Sequence, residues 1–319
     1  MHIQHLALLT MTSSFLIAAP GLLAESSGSR LLTHGDFTVE VMDPSAPDRY
    51  NSGVRFTQAA AIIGASRGGK GFLYYESKHN PLTDVAGLFS EFDLTLSPPG
   101  FDEAQLGEGF VKIGVGVLKK GAENYQFYPQ HKIIRLAPTE ATWGADTARF
   151  HQVCAPYNGY GYDLVATVTV GEGTIVVDWR LENTGTKPFE TQQYAHNCFR
   201  FDQLPVGPGY EVRFPYDFQA RGLKSEQRQV GRTIEFTEKI PTAVNIDVDY
   251  PPTYAGPNTI EVVHLASGLF VSCLTSVQSL RTAVHGAAIY VCPEQFINVH
   301  LGPGEHASWQ RRYEFGTRR

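Results

Sequence analysis

Beyond residue 30 the chain is a succession of short runs rich in β-branched and aromatic residues, cut by Gly, Pro, Asn and Asp: FTVEVMD, GFLYYES, GFVKIGVGVL, YDLVATVTV, TIVVDWRLEN, IEVVHLA, LFVSCLTS, AIYVCPE and WQRRYEF. Such runs fit a pleated, half-buried surface and predict strands. No stretch of a dozen residues past the N-terminus repeats its apolar positions at the helical period, and no glycine-rich nucleotide motif follows a strand. The expectation is an all-β fold, a large antiparallel β-sandwich of two packed sheets. The clearest hairpin is YDLVATVTVGEGTIVVDWRLENTG, with Leu164 to Val170 and Thr174 to Leu181 on either side of Gly171-Glu172-Gly173.

The chain has 319 residues, and between 30 and 319 there is no linker, composition break or repeat, so one domain over 30–319 is expected. Its 26 basic and 32 acidic residues are not gathered into blocks, which argues against a nucleic-acid partner. An apolar stretch from Leu6 to Leu23, broken by Pro20 and Gly21 and followed by Ala24, predicts a signal peptide over 1–24, although its start carries His2 and His5 in place of Lys or Arg. The mature protein is then expected outside the cytoplasm, periplasmic or extracellular, as a monomer with no stable membrane span. Cys154, Cys198, Cys273 and Cys292 lack metal-ligand spacing, and either disulfides or buried thiols fit them.

QQYAHNCFRFD places His196 on a strand, sharing a face with Tyr194, Cys198 and Arg200 by the period of two. An imidazole titrates near neutrality and so suits proton transfer, while a strand histidine is as readily a hydrogen-bonded structural residue. Its setting favours the first reading. LENTGTKPFETQQYAHNCFRFD resembles the segment of the aldose 1-epimerase, or galactose mutarotase-like, superfamily in which a strand and turn lead to N-H-x-Y-F-N-L. YVCPEQFINVHLGPGEHASWQRRYEF is similar to that superfamily's closing pattern of a Glu-bearing strand end, L-x-P-G-E and a last strand ending in Tyr-x-Phe.

The resemblance covers about residues 36 to 316 and implies a galactose mutarotase-like sandwich acting on sugars without cofactor or metal. It implies His196 as the acid that protonates the ring oxygen and Glu294 as the general base, with Gln295 beside it; Glu305, in the Pro-Gly-Glu turn, is the alternative acid. RYNSGVRFTQAAAII resembles an N-terminal strand pair that carries a sugar-binding residue, which implies Arg55 as a substrate contact. The second histidine segment of these enzymes, N-x-x-H-G-G, is missing; GEGFVKIGVGVLKKG stands there, with Lys112 at the equivalent place or pointing to water. His131 and His151 are other candidates.

Trp143, Tyr157, Tyr160, Tyr162 and Tyr194 are available to stack on a pyranose, Tyr160 and Tyr194 foremost, and APYNGYGYD reads as a loop bordering a groove. SKHNPLTDVAGLFSEFDL holds His79, Asp84, Glu91 and Asp93, oxygen-rich but without a compact calcium-loop spacing. The function this implies is interconversion of sugar anomers. A non-catalytic carbohydrate-binding protein, or a lyase or epimerase of uronate-containing sugars with Arg55 and Lys112 neutralising a carboxylate, are the alternatives.

Overall fold

The computed structural model describes residues 28–249, 251 and 253–318, so the predicted signal peptide over 1–24 lies outside the described residues. Two ten-stranded antiparallel sheets pack face to face. The first runs, in spatial order, Ser29–His34, Phe37–Met42, Ile62–Arg67, Leu88–Phe92, Phe189–Asn197, Tyr290–Leu301, Arg281–Ala287, Val244–Val248 and Ala220–Arg221, with Lys70–Gly71 attached to Ile62–Arg67. The second runs Gln227–Val230, Thr233–Phe236, Tyr210–Arg213, Thr259–His264, Leu269–Thr275, His306–Thr317, Thr174–Asn183, Tyr160–Gly171, Thr147–Tyr157 and Thr139–Trp143. A third sheet of Gly109–Lys112, Gly116–Lys119 and Ile133–Leu136 packs against Thr147–Tyr157 of the second and reaches the first through the Lys112 ammonium on the Phe92 carbonyl. Among the described residues no helix is long and apolar enough to cross a membrane.

Alternation explains the packing. In Tyr160–Gly171 every second residue from Tyr162 to Val170 is buried, and in Thr174–Asn183 so are Ile175, Val177, Trp179 and Leu181. These meet the inward face of the first sheet, where Phe92 packs edge-on against Trp179 and Trp309 and Phe37 lies tilted against Phe315. Strands Phe189–Asn197 and Tyr290–Leu301 are buried on both faces over most of their length. Such strands carry polar residues on the outer face only where those residues have partners.

The predicted hairpin forms, with Gly171 paired to Thr174, so its loop is Glu172-Gly173 and Gly173 takes a left-handed φ of 62°. Three expectations are corrected. GFVKIGVGVL is a hairpin turning at Ile113-Gly114-Val115, with Lys112 paired to Gly116. APYNGYGYD is no groove-bordering loop but a second hairpin, Tyr157 pairing with Tyr160 around Asn158 and Gly159, both at positive φ as a type I′ turn requires. The segment around Arg55 is irregular backbone ahead of Ile62–Arg67 rather than a strand pair.

Candidate active site

The register of two strands assembles the site. Phe189–Asn197 pairs with Tyr290–Leu301 from Phe189↔Leu301 to Gln193↔Ile297, and Phe199↔Val291 further on keeps the same offset. Between them Tyr194, His196 and Cys198 therefore stand opposite Phe296, Glu294 and Cys292, all on the outer face by the period of two. The contacts agree: Tyr194 stacks on Phe296 with centroids 4.6 Å apart, His196 Nδ1 lies 3.3 Å from Glu294 Oε1, and the sulfurs of Cys198 and Cys292 are 3.0 Å apart. Pro293 has no amide hydrogen to give the ladder, and Asn197 Nδ2 instead donates to its carbonyl at 2.7 Å. Tyr313 of the second sheet donates its hydroxyl to Asn197 Oδ1 at 2.9 Å, holding this unladdered stretch from behind.

His196 and Glu294 form the floor of a cleft of about 650 Å³, whose walls include Arg55, Tyr194, His285 and Tyr290. Burial pulls the His196 imidazole well below its usual range, and the charges of Arg55 and His285 push the same way. Burial also raises the Glu294 carboxyl to about 8, with Arg55 opposing and Glu91 reinforcing. At neutral pH the pair thus holds one proton, on the carboxyl beside a neutral ring.

Arg55 is fixed from below. Its Nε donates to Glu91 at 2.8 Å, its Nη2 to the Tyr194 hydroxyl at 3.0 Å, and Tyr194 in turn donates to Glu91, which is fully buried. The guanidinium lies between the rings of Phe56 and Phe127, 4.5 and 4.6 Å from their centroids. Burial works against the Arg55 charge, but Tyr194 and Glu91 outweigh it and hold the guanidinium above its usual range. Burial, then Glu91, keeps the Tyr194 phenol neutral.

Sequence reasoning missed two of these residues. His285, on Arg281–Ala287, is paired with Cys292 and stands perpendicular to His196 with centroids 5.6 Å apart. Its Nδ1 is 2.7 Å from Asn245 Oδ1, and burial, then Arg55, lowers its affinity for a proton. It gives the cleft the second imidazole absent from the segment around Lys112. Glu91 had been read as part of an oxygen-rich loop, but His79 stacks on Tyr50, Asp84 bonds locally to Asn80 and Thr83, and Asp93 is buried against Thr191.

Of the residues singled out in the sequence, Arg55, Tyr194, His196 and Glu294 line the cleft, whereas Lys112, Tyr160 and Gln295 do not. Lys112 is 1% exposed and sits behind the site, its ammonium donating to the Phe92 carbonyl and, at 2.8 Å, to the Tyr125 hydroxyl. Tyr160 belongs to the second sheet, its hydroxyl donating to Glu103 at 2.6 Å and its ring beneath Lys187. Gln295 follows Glu294 on a strand and so points the other way, into the core, where its amide bonds Asn258 and accepts from Thr275 at 3.0 Å.

The remaining candidates also lie elsewhere. Trp143 is beneath Arg30 at the far edge of the second sheet, Tyr157 is in its hairpin, Tyr162 is fully buried, His131 stacks on Tyr125 and His151 pairs with Asp163. Glu305 closes an exposed turn by accepting from Gly302 N. Among the described residues, His196, Cys198 and Cys292 bring ligand atoms within 4.8 Å of one another, a nitrogen and sulfur set of the kind soft metals prefer.

No protein-family model matches the chain, and no curated protein sequence does. Solved structures do. A protein of Synechocystis sp. PCC 6803 superimposes with a TM-score of 0.60 at 12% identity, over 97% of this chain and 100% of that one. A galactose mutarotase related enzyme from Lactobacillus acidophilus gives 0.59 at 10%, over 91% and 97%. A galactose mutarotase-like protein from Clostridium acetobutylicum gives 0.56 at 11%, over 90% and 95%. The fold of the chain is therefore galactose mutarotase-like, as the sequence resemblance implied.

Proposed function

We propose that this galactose mutarotase-like chain is a carbohydrate-active isomerase that interconverts sugar anomers, with His196 and Glu294 as its proton-transfer pair. The observation that carries the reading is a buried imidazole and a buried carboxyl 3.3 Å apart on the floor of a cleft wide enough for a monosaccharide. Two groups whose environments push their proton affinities in opposite directions are what acid/base chemistry at one bond requires. The resemblance assigned a carboxylate base and an imidazolium acid; burial favours the converse starting state. In that state neutral His196 takes the proton of the anomeric hydroxyl while the Glu294 carboxyl gives its proton to the ring oxygen. The ring C–O bond breaks, the anomeric C–O becomes a carbonyl, and rotation about the adjacent C–C bond followed by the reverse transfers closes the other anomer. The charges left on the enzyme are an imidazolium and a carboxylate in contact, which stabilise each other until closure.

Arg55 is committed to Glu91, and Lys112 is buried away from the cleft, so neither side chain offers a free charge to a uronate. That favours neutral aldoses over the lyase alternative. The leader read in residues 1–24 would carry the activity out of the cytoplasm. Optical rotation of freshly dissolved single anomers of glucose, galactose and other aldoses tests the reading. Wild type is expected to hasten the decay for at least one sugar, and His196→Ala and Glu294→Gln to lose the effect. Sugar binding without any acceleration by wild type would replace it with the non-catalytic binding protein.

A further inference from the structure

The outer face that carries His196 and Glu294 also carries Cys198 and Cys292, and the backbone sets them up as a bonding pair. Phe199 and Val291 exchange both their hydrogen bonds at 3.0 Å, so the neighbouring Cys198 and Cys292 occupy a non-hydrogen-bonded position of the antiparallel pair. The amide of Cys198 accordingly turns the other way, its N–H donating to Gly87 at 2.8 Å and its carbonyl accepting from Tyr74 at 2.9 Å. Residues opposed in such positions have Cα atoms about 4.5 Å apart, inside the range of about 4.4 to 6.8 Å that a disulfide spans. The sulfurs are 3.0 Å apart. Tetrahedral zinc with Zn–S bonds of about 2.3 Å would hold two thiolates roughly 3.8 Å apart, so the pair is set closer than a metal needs.

We propose that Cys198 and Cys292 close a cross-strand disulfide by exchange with a small-molecule disulfide, and that closing it alters the proton-transfer site by removing the thiol that faces His196. His196 Nδ1 lies 3.4 Å from Cys198 Sγ, and when local opening admits water Cys198 gives its proton to solvent, leaving the thiolate that attacks. That thiolate displaces one thiol from the small disulfide, giving a mixed disulfide on Cys198. Cys292 then attacks Cys198 Sγ and releases the second thiol. Two protein thiols are oxidised, one small disulfide is reduced to two thiols, and the protons released from Cys198 and Cys292 pass to the two leaving groups. Both sulfurs are buried, so exchange in the folded protein waits on local opening and is fastest while the chain folds. In the dithiol, Nδ1 has two neighbours, Cys198 at 3.4 Å and Glu294 at 3.3 Å; in the disulfide only Glu294 can exchange a proton with it. The effect on turnover rests on the isomerase reading, whereas the linkage does not.

The experiment refolds full-length wild type in mixtures of oxidised and reduced glutathione, quenches with acid, alkylates under denaturing conditions and maps the peptides by mass. The expected oxidised form has lost two of its four alkylatable thiols, with the Cys198 peptide joined to the Cys292 peptide and Cys154 and Cys273 alkylated; dithiothreitol restores all four. Four alkylated thiols under oxidising conditions, a link to another cysteine, or a retained zinc ion with all thiols free would overturn the linkage. Anomer-exchange rates of the two forms are then compared, with Cys292→Ala as the chain that cannot close the bond. A several-fold difference for wild type and none for Cys292→Ala is expected, and equal rates for linked and unlinked wild type overturn the coupling. Absence of exchange in both forms counts against the isomerase reading and against the coupling, and leaves the linkage to the mass map.

Discussion

Glu294→Gln keeps the size and hydrogen-bonding of the side chain and removes its proton, so its effect on stability can be worked out from the site. Unfolded, the pair titrates near 4.5 for Glu294 and 6.5 for His196; folded, Glu294 titrates at about 8 and His196 well below 6.5. A carboxyl raised on folding adds stability that is complete below 4.5 and is lost as pH rises through about 8. An imidazole lowered on folding adds stability that is complete above 6.5 and is lost as pH falls. From 6.5 to about 8 the unfolded pair holds none while the folded pair keeps one, and wild type loses about 1.4 kcal/mol per pH unit, about 2 kcal/mol in all. The Gln variant keeps only the imidazole contribution, which is flat above 6.5. Urea unfolding of both chains at pH 6.5 and pH 8 measures the difference, and His285 titrates in both and cancels. Wild type is expected to lose about 2 kcal/mol relative to Glu294→Gln across that interval. A difference that stays constant, or moves the other way, would refute the assigned protonation of the pair.

Arg55→Met leaves fully buried Glu91 without its cation and is expected to cost about 3 to 5 kcal/mol in urea unfolding, most of it recovered when Glu91→Gln is added. Lys112→Met takes the buried ammonium from beside Asp93 and Tyr125; it is expected to lower stability by about 3 kcal/mol while leaving the KM for a turned-over sugar unchanged, since Lys112 is walled off from the cleft.

The fold class was readable because alternation of buried and exposed positions is a local property: the hairpin from Tyr160 to Asn183 shows it residue by residue. That His196 and Glu294 belong together was suggested by the company they keep in sequence, and the register brings them into contact. Gln295 could have been corrected from the sequence too, since a residue next to Glu294 on a strand must face the other way. His285 and Glu91 could not, because their places depend on sheet order. Glu91 reaches the site because Leu88–Phe92 lies beside Phe189–Asn197, and His285 because it pairs with Cys292. Lys112 misled for the complementary reason: a lysine among apolar residues looks the same whether its ammonium meets a ligand or the carbonyl of Phe92. The cysteine pair was likewise hidden until the register placed positions 94 residues apart directly opposite each other.

The central claim is that His196 and Glu294 act as one unit on a sugar's anomeric bond, and two-dimensional exchange NMR of an aldose at anomeric equilibrium tests it most directly. The rate of α to β exchange would be measured with wild type, His196→Ala, Glu294→Gln and the double variant, with folding checked for each. Groups that transfer protons in one step fail together, so each single variant is expected to fall by about 10² to 10⁴ to nearly the level of the double variant. Single losses that multiply in the double variant, or single variants that keep the wild-type rate, would contradict the account.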